Sequence, residues 1–442
     1  MSREPEILAG LDVGTTKIAV IVAERDGRSQ TARIIGIGTA PAQGIRKGVI
    51  VDFNKAARSI KRAMFETQMM IGVKVNSATV SFSGTEIQSL ISHGMICVGR
   101  VARPVTIDDI KRVIEAAQSE LNVPNNMFAL HTIPAKYSID NNAGIDDPIG
   151  MTGLRLEMEL QTIIVPKNVI QNVVNCVEDA GVNVNGVLIK PLASALGSLT
   201  QDEMNRGVIS ICIGGGTTSV AFYLDGHPIR MAVVPIGGNH ITNDLSYVLR
   251  LPMKAAEKLK EKLFSDGSEI LQLDNGDLHR SETINVDAAI EVISCRLEEL
   301  FVVHVAPLIA SLGAVMFPGG VVLSGGVSKT QGIDGFVSDI LKLPVRIGMP
   351  LDYRIMPKGC HDSSYINLDG VLRYILTKEK NPYRFIEADI SELGPREYFI
   401  DKTKPNKGDK SKGKGKSPPV APLGELVKRI RKTIAKTFEE LF

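Results

Sequence analysis

The feature that most constrains the fold is an apolar strand that runs directly into three consecutive glycines. Residues 211–220 read ICIGGGTTSV, and residues 11–20, LDVGTTKIAV, show the same design about 200 residues earlier. Glycines let the backbone approach a ligand, and the threonines offer amides and hydroxyls. A third strand, VVLSGGVSK at 321–329, ends in paired glycines that would let a purine and ribose lie against the backbone. Each loop alone is typical of an ordinary turn, but three in this order predict a nucleotide-sized site.

Strand and helix segments alternate through two halves of the chain, and each half opens with a glycine-terminated strand. This pattern predicts an α/β fold with mixed sheets in two related lobes, and 442 residues with 44% hydrophobic content can bury more than one core. Helices are predicted at 54–71, 106–121, 166–180, 191–200 and 285–311. The fold is expected to end near residue 385.

Composition changes beyond Pro395, where lysine, glycine, proline and serine replace apolar residues. Residues 401–420 hold seven lysines against two aspartates, which predicts a disordered, basic linker. The five cysteines are scattered without a CxxC pair, which argues against zinc or a disulfide frame and favours a reducing cytosol. No segment looks like a signal peptide or a membrane span, so we expect a cytoplasmic chain unless something tethers it.

The last residues, PLGELVKRIRKTIAKTFEELF, predict an amphipathic helix with an apolar stripe of about 160°. Its charges exclude a spanning helix, because burying them at bilayer depth costs more than about 10 kcal/mol. The alternative is a helix docked on the protein's own body, but a long disordered linker favours the membrane interface. The predicted membrane-binding residues are Leu426, Val427, Lys428, Ile430, Arg431, Ile434, Phe438, Leu441 and Phe442.

The order of the three glycine loops, with the helix KPLASAL (190–196) before the second, resembles the actin, sugar-kinase and chaperone ATPase superfamily. Within that superfamily the chain resembles the FtsA family of bacterial cell-division proteins. The segments that carry this resemblance are RKGVIVDFNKAARSIKRAM (46–64), SGTEIQS (83–89), DDPIGMTGLRLEMEL (146–160), PIGGNHITNDLSYVL (235–249) and EVISCRLEEL (291–300).

This resemblance implies an actin-like two-lobed ATPase fold with an inserted small subdomain. The implied divisions are a first lobe (1–83 and 166–200), the insert (84–165), a second lobe (201–242 and 311–390), its outer subdomain (243–310), the linker (395–422) and a membrane-targeting helix (423–442).

The resemblance also implies that ATP and Mg²⁺ bind in the cleft between the lobes. The predicted cofactor-binding residues are Asp12, Gly14, Thr15, Thr16, Lys17, Gly214, Gly215, Gly216, Thr217, Gly237, Gly238, Gly325 and Gly326. Asp12 is the predicted metal residue, and it would hold magnesium through water.

Two positions depart from the pattern of superfamily members that hydrolyse ATP. Cys212 replaces the aspartate before the second glycine loop, and Lys190 replaces the glutamate or glutamine before the connecting helix. A thiol is a soft ligand, and a charged lysine cannot accept a proton from water. We therefore expect ATP binding with weak or absent hydrolysis, no catalytic residue, and no enzyme function.

The family resemblance implies a protein that polymerises on the cytoplasmic face of the inner membrane at the division septum. The implied partners are the C-terminal tail of FtsZ, other division proteins, a second copy of the chain and anionic lipids, with no nucleic acid. Arg296 and Glu299 are candidates for the FtsZ contact, although an exposed ion pair is an equal interpretation. The alternatives are another actin-like membrane filament or scaffold and, with less support, a carbohydrate kinase or a chaperone ATPase.

Overall fold

The computed structural model describes residues 5–25, 32–265, 270–273, 282–351, 360–381, 383–387 and 389–393. Its strands are β1 (Glu6–Val13), β2 (Lys17–Arg25), β3 (Arg33–Pro41), β4 (Ile45–Arg46), β5 (Val49–Ile50), β6 (Ser77–Phe82), β7 (Gln88–Cys97), β8 (Arg103–Pro104), β9 (Met127–Ile139), β10 (Asn142–Ile145), β11 (Thr152–Gly153), β12 (Arg155–Pro166), β13 (Asn183–Ile189), β14 (Val208–Ile213), β15 (Thr218–Leu224), β16 (His227–Val234), β17 (Ile270–Leu273), β18 (Glu282–Asn285), β19 (Val321–Ser324), β20 (Val345–Ile347) and β21 (Ile386–Glu387).

The α-helices are α1 (Phe53–Ile71), α2 (Ile107–Ser119), α3 (Lys167–Asp179), α4 (Lys190–Ser198), α5 (Gln201–Arg206), α6 (Gly238–Val248), α7 (Met253–Ser265), α8 (Val286–Glu298), α9 (Ala306–Ala310), α10 (Ile333–Leu341) and α11 (Ile366–Lys380). A π-helix, Glu299–Val305, joins α8 to α9. The five predicted helices are confirmed, with ends that differ by a few residues.

The first lobe is built on a five-stranded sheet in the order β13-β6-β1-β2-β3. Its central strands are apolar on both faces because helices cover both. Val20 and Val22 of β2 join a core that includes residues of α1 and α3, while Ala19 and Ile21 pack with Leu368 and Leu372 of α11. The helix α1 is delimited by local chemistry, since Asp52 caps its first turn and Gly72 ends it in the left-handed conformation.

The second lobe repeats this arrangement strand for strand. Its sheet has the order β16-β15-β14-β19-β20, so β14 and β15 form the antiparallel hairpin that β1 and β2 form in the first lobe. β19 runs parallel to β14 as β6 runs parallel to β1. The predicted α/β fold with two related lobes is confirmed.

The helices α4 and α11 cross in backbone contact at the junction of the two lobes. A Cβ on Gly370 would lie 1.8 Å from the carbonyl oxygen of Ala193, and a Cβ on Gly197 would lie 2.2 Å from that of Ile366. The helix α11 also packs on β1, β2 and β6. Residues 366–380, which were predicted to belong to the second lobe, therefore pack on the first sheet.

The insert is a separate antiparallel sheet, β10-β9-β12-β7, covered by α2. The long β7–β12 pairing runs from Arg155 opposite Cys97 to Ile164 opposite Gln88. β21 adds to the edge of β9, close to the predicted end of the fold near residue 385.

The outer subdomain of the second lobe contains α6, α7, α8 and the β17–β18 hairpin. Across the described ranges, which stop at residue 393, we find no helix long and apolar enough to cross a membrane. The predicted linker and terminal helix lie outside the described residues.

Candidate nucleotide-binding site

Two equivalent hairpin turns form the base of the cleft. The Gly14 amide donates to the Lys17 carbonyl at 3.1 Å, and the Gly214 amide donates to the Thr217 carbonyl at 2.9 Å. Each turn closes the first hairpin of its lobe, so Asp12 and Cys212 occupy equivalent strand positions. The register supports this equivalence, because Asp12 pairs with Ala19 and Ser81 while Cys212 pairs with Ser219 and Ser324.

The two turns face each other at a separation that only glycine permits. A Cβ on Gly215 would lie 2.3 Å from the Thr16 methyl, and a Cβ on Gly216 would lie 2.5 Å from the Thr15 hydroxyl. The Thr15 hydroxyl accepts a hydrogen bond from the Gly48 amide at 3.1 Å. The glycines of the second loop therefore set how closely the two turns approach each other.

A cavity of about 750 Å³ lies between these turns, within the range of small-molecule sites. Twelve of the thirteen predicted cofactor-binding residues line it: Asp12, Gly14, Thr15, Thr16, Lys17, Gly214, Gly215, Gly216, Thr217, Gly238, Gly325 and Gly326. Gly237 is not part of this lining. A Cβ there would lie 2.5 Å from the Gly214 carbonyl oxygen, so Gly237 lies directly against the second turn.

The third glycine loop is held by hydroxyl groups. Gly325 adopts a φ of 88°, which favours glycine, and its amide donates to the Ser363 carbonyl at 3.1 Å. The Ser328 hydroxyl donates to the Gly325 carbonyl at 2.8 Å. Lys329, which also lines the cavity, pairs with Asp362 at 2.7 Å.

Sequence reasoning missed a buried cation on α7. The Lys260 ammonium is 2.7 Å from the Glu257 carboxylate and 2.9 Å from the Thr242 hydroxyl, and it reaches the Gly238 carbonyl at 3.4 Å. Both charged residues line the cavity. In the sequence this pair looks like an ordinary i,i+3 surface pair, and only the fold reveals its position. Ser219, Asn239, Glu261, Val327, Ser363, Ser364 and Asn367 were missed in the same way.

Lys17 lies at the first loop in a desolvated position. Its ammonium donates to the Ser364 hydroxyl at 3.2 Å and lies 3.8 Å from the centre of the Tyr365 ring. Burial lowers the pKa of Lys17, and the nearby Asp12 carboxylate partly opposes that shift. A cation held in this way can contact a phosphate oxygen.

Asp12 is already engaged by two donors. The Lys190 ammonium is 3.1 Å from its Oδ1, the Ser81 hydroxyl donates to the same oxygen at 2.6 Å, and both charged side chains are about nine-tenths buried. Burial raises the pKa of the Cys212 thiol, so that side chain stays neutral near pH 7. In the part of the chain that the structure describes, no group of three or more histidine, cysteine, aspartate or glutamate side chains could hold a metal.

These residues do not fit a magnesium ion held by the protein. Magnesium requires hard oxygen ligands. The carboxylate of Asp12, the predicted metal residue, is already paired with the Lys190 ammonium. The equivalent position on the other lobe, Cys212, offers sulfur.

Arg296 and Glu299 form the ion pair that was one interpretation of their spacing. The pair is partly buried rather than exposed, because the Arg296 guanidinium also binds both oxygens of Asp244 at 2.6 and 2.9 Å. Binding of FtsZ by these residues stays a prediction. The predicted membrane-binding residues of 423–442 lie outside the described residues.

A family model described as cell division protein FtsA matches residues 210–370, and one described as an SHS2 domain inserted in FtsA matches residues 84–164. The chain is 36% identical to cell division protein FtsA of Pseudomonas aeruginosa, covering 85% of this chain and 91% of that one. It is 33% identical to cell division protein FtsA of Bacillus subtilis, covering 89% of each.

The similarity of this chain to solved structures concerns the fold alone, because the sequence identities are low. A chain of a PilM–PilN type IV pilus biogenesis complex has a TM-score of 0.57 at 14% identity, covering 83% of this chain and 98% of that one. MreB5 of Spiroplasma citri bound to AMPPNP has a TM-score of 0.51 at 16% identity, covering 86% and 99%. Both support an actin-like fold.

Proposed function

Because this chain belongs to the family of cell division protein FtsA, we propose that it binds ATP in the cleft and forms filaments that tether the FtsZ ring to the membrane. The observation that carries the proposal is the pair of equivalent glycine hairpins that face each other across the cavity. Backbone amides at two opposed turns suit a chain of phosphates. The site is therefore a nucleotide clasp that spans both lobes.

In this proposal the bound nucleotide mainly sets the conformation of the protein and is hydrolysed slowly or not at all. Cys212 is neutral and Lys190 is paired with Asp12, so neither is placed as a base for attacking water. We expect the purified protein to hydrolyse ATP far more slowly than about 1 s⁻¹, a low rate for an enzyme. Phosphate release at or above that rate would refute this part of the proposal.

Membrane attachment is assigned to the amphipathic helix that the sequence predicts for residues 423–442. Its apolar stripe and its basic residues suit the surface of an anionic bilayer, and the linker gives it reach. Deleting these residues should move the protein from the liposome pellet to the supernatant. Unchanged pelleting in the absence of filaments would contradict the assignment.

The FtsZ tail is assigned to the outer subdomain, at the network of Arg296, Asp244 and Glu299. The Arg296 guanidinium is partly exposed and could exchange an internal carboxylate for one on a peptide. Arg296→Ala should weaken binding of an FtsZ tail peptide by about tenfold. Arg62→Ala, which removes an exposed i,i+4 pair on α1, is the matched control and should leave peptide binding unchanged.

One experiment tests the combined function: electron microscopy of the protein on anionic lipid monolayers, with and without ATP, and with added FtsZ tail peptide. We expect ordered filaments on the lipid in the presence of ATP, and recruitment of the peptide to them. Filaments that form equally well without nucleotide would contradict the proposal that ATP bound in the cleft controls filament formation. The proposed location is the cytoplasmic face of the inner membrane at the septum, with other division proteins as further partners.

A further inference from the structure

The ion pair of Asp12 and Lys190 fixes an ammonium group inside the cleft. The ammonium is 3.1 Å from the carboxylate, and the two residues are 178 positions apart in the chain. The Lys190 Nζ also lies 3.6 Å from where a Cβ on Gly14 would be, so it is next to the first glycine turn. This cation therefore faces the space that the phosphates would occupy.

The charges around that turn already favour a polyanion. Lys17 and Lys190 contribute two positive charges against the single negative charge of Asp12, and Lys329 adds a cation that is paired with Asp362. Cys212, at the position equivalent to Asp12, contributes no negative charge. A divalent cation placed here would be repelled by a buried ammonium a few ångströms away.

We propose that Lys190 takes the place of the divalent cation, so that this chain binds ATP through a protein ammonium and does not require magnesium. Asp12 acts as the positioning residue that holds the ammonium at the turn, and the Ser81 hydroxyl orients Asp12. The inference rests on the proposed nucleotide site and specifies how that site neutralises the triphosphate.

The test is isothermal titration of ATP into the full-length protein, in excess magnesium and in excess EDTA. We expect the wild-type dissociation constant to agree within about threefold between the two buffers. In Lys190→Gln, the affinity in EDTA should fall by about tenfold or more, because a charge-assisted contact is lost. Magnesium should restore part of that loss, since Asp12 is then free to face a cation.

Lys190→Arg is the second variant, and it should keep magnesium-independent binding because it keeps the charge next to Asp12. Lys111→Gln, which removes an exposed lysine on α2, is the matched control and should behave as the wild type. If Lys190→Gln does not fold, the wild-type comparison and the arginine variant still decide the question.

The possible results distinguish a failure of the role proposed for Lys190 from a failure of the proposed nucleotide site. Wild-type binding that is lost in EDTA by about tenfold or more would overturn the role of Lys190 while leaving the nucleotide site in place. Equal binding by Lys190→Gln and wild type in EDTA would also overturn it. An absence of ATP binding in both buffers would instead refute the proposed function.

Discussion

Replacing Gly370 with alanine tests whether backbone contact between α4 and α11 holds the two lobes together. The added Cβ would lie 1.8 Å from the Ala193 carbonyl oxygen and 2.6 Å from its carbonyl carbon. Contacts under 3.0 Å essentially never occur for a real Cβ, so the two helices would have to separate. Neither contact is with a flexible side chain, so the backbone itself must move.

The expected cost follows from two opposed effects. Overpacking a core costs about 1–3 kcal/mol, and a backbone obstacle favours the upper end. Alanine is favoured over glycine within a helix by about 1 kcal/mol. Gly370→Ala should therefore lower the free energy of unfolding by about 2 kcal/mol.

The chain offers a matched control in α10. Gly335 is also a helical glycine, but no atom lies within 4 Å of its would-be Cβ, so Gly335→Ala should raise stability by about 0.5–1 kcal/mol. Urea unfolding followed by far-UV circular dichroism compares the midpoints of the two variants with that of the wild type. If Gly370→Ala unfolds at the same urea concentration as Gly335→Ala, the helices are not in the contact described.

Three further predictions concern charged and titratable groups. Cys212→Asp should raise the rate of ATP hydrolysis, measured as phosphate release. Adding Lys190→Gln should bring the gain to about a hundredfold, the low end of the effect of a positioned base. No gain would mean that Cys212 does not occupy the position of the aspartate in superfamily members that hydrolyse ATP. His131 is buried, and burial lowers its pKa to about 3 from an unfolded value near 6.5. The free energy of unfolding should therefore fall below pH 6.5, by about 1.4 kcal/mol per pH unit. His131→Phe should show a shallower dependence of this free energy on pH, and an unchanged slope would contradict the argument. The Asp109 carboxylate is buried and accepts two hydrogen bonds from Arg103. Asp109→Asn should therefore lower the free energy of unfolding by about 2 kcal/mol, whereas the exposed Asp108→Asn should lower it by under about 0.5 kcal/mol. Thermal unfolding compares the two variants, and equal effects would refute a role for burial.

The parts of the site that could be predicted from the sequence are those set by local chemistry. A glycine that ends an apolar strand marks a tight turn wherever it occurs, so both hairpins and the third loop were identified at Gly14, Gly214 and Gly325. The helices followed from apolar periodicity.

The rest depends on contacts between distant segments, which composition and spacing do not encode. The Lys190–Asp12 pair arises because α4 starts at the end of β13, on the sheet that also carries β1. Lys260 becomes a cavity residue only because α7 packs against α6 beside Gly238. The position of α11 on the first sheet is also a property of the topology, since this helix follows the second-lobe strands in sequence.

The duplicated sheets explain why Cys212 and Lys190 belong together. Asp12 and Cys212 lie at equivalent strand ends facing one cavity, and two buried carboxylates there would need a cation to compensate them. In this chain one carboxylate is absent, and the other is neutralised by Lys190 and the Ser81 hydroxyl. The Asp12 carboxylate is therefore compensated by groups of the protein itself. Introducing only the aspartate at position 212 should leave the free protein less stable than the wild type, and the lysine that compensates Asp12 should limit the hydrolysis gained.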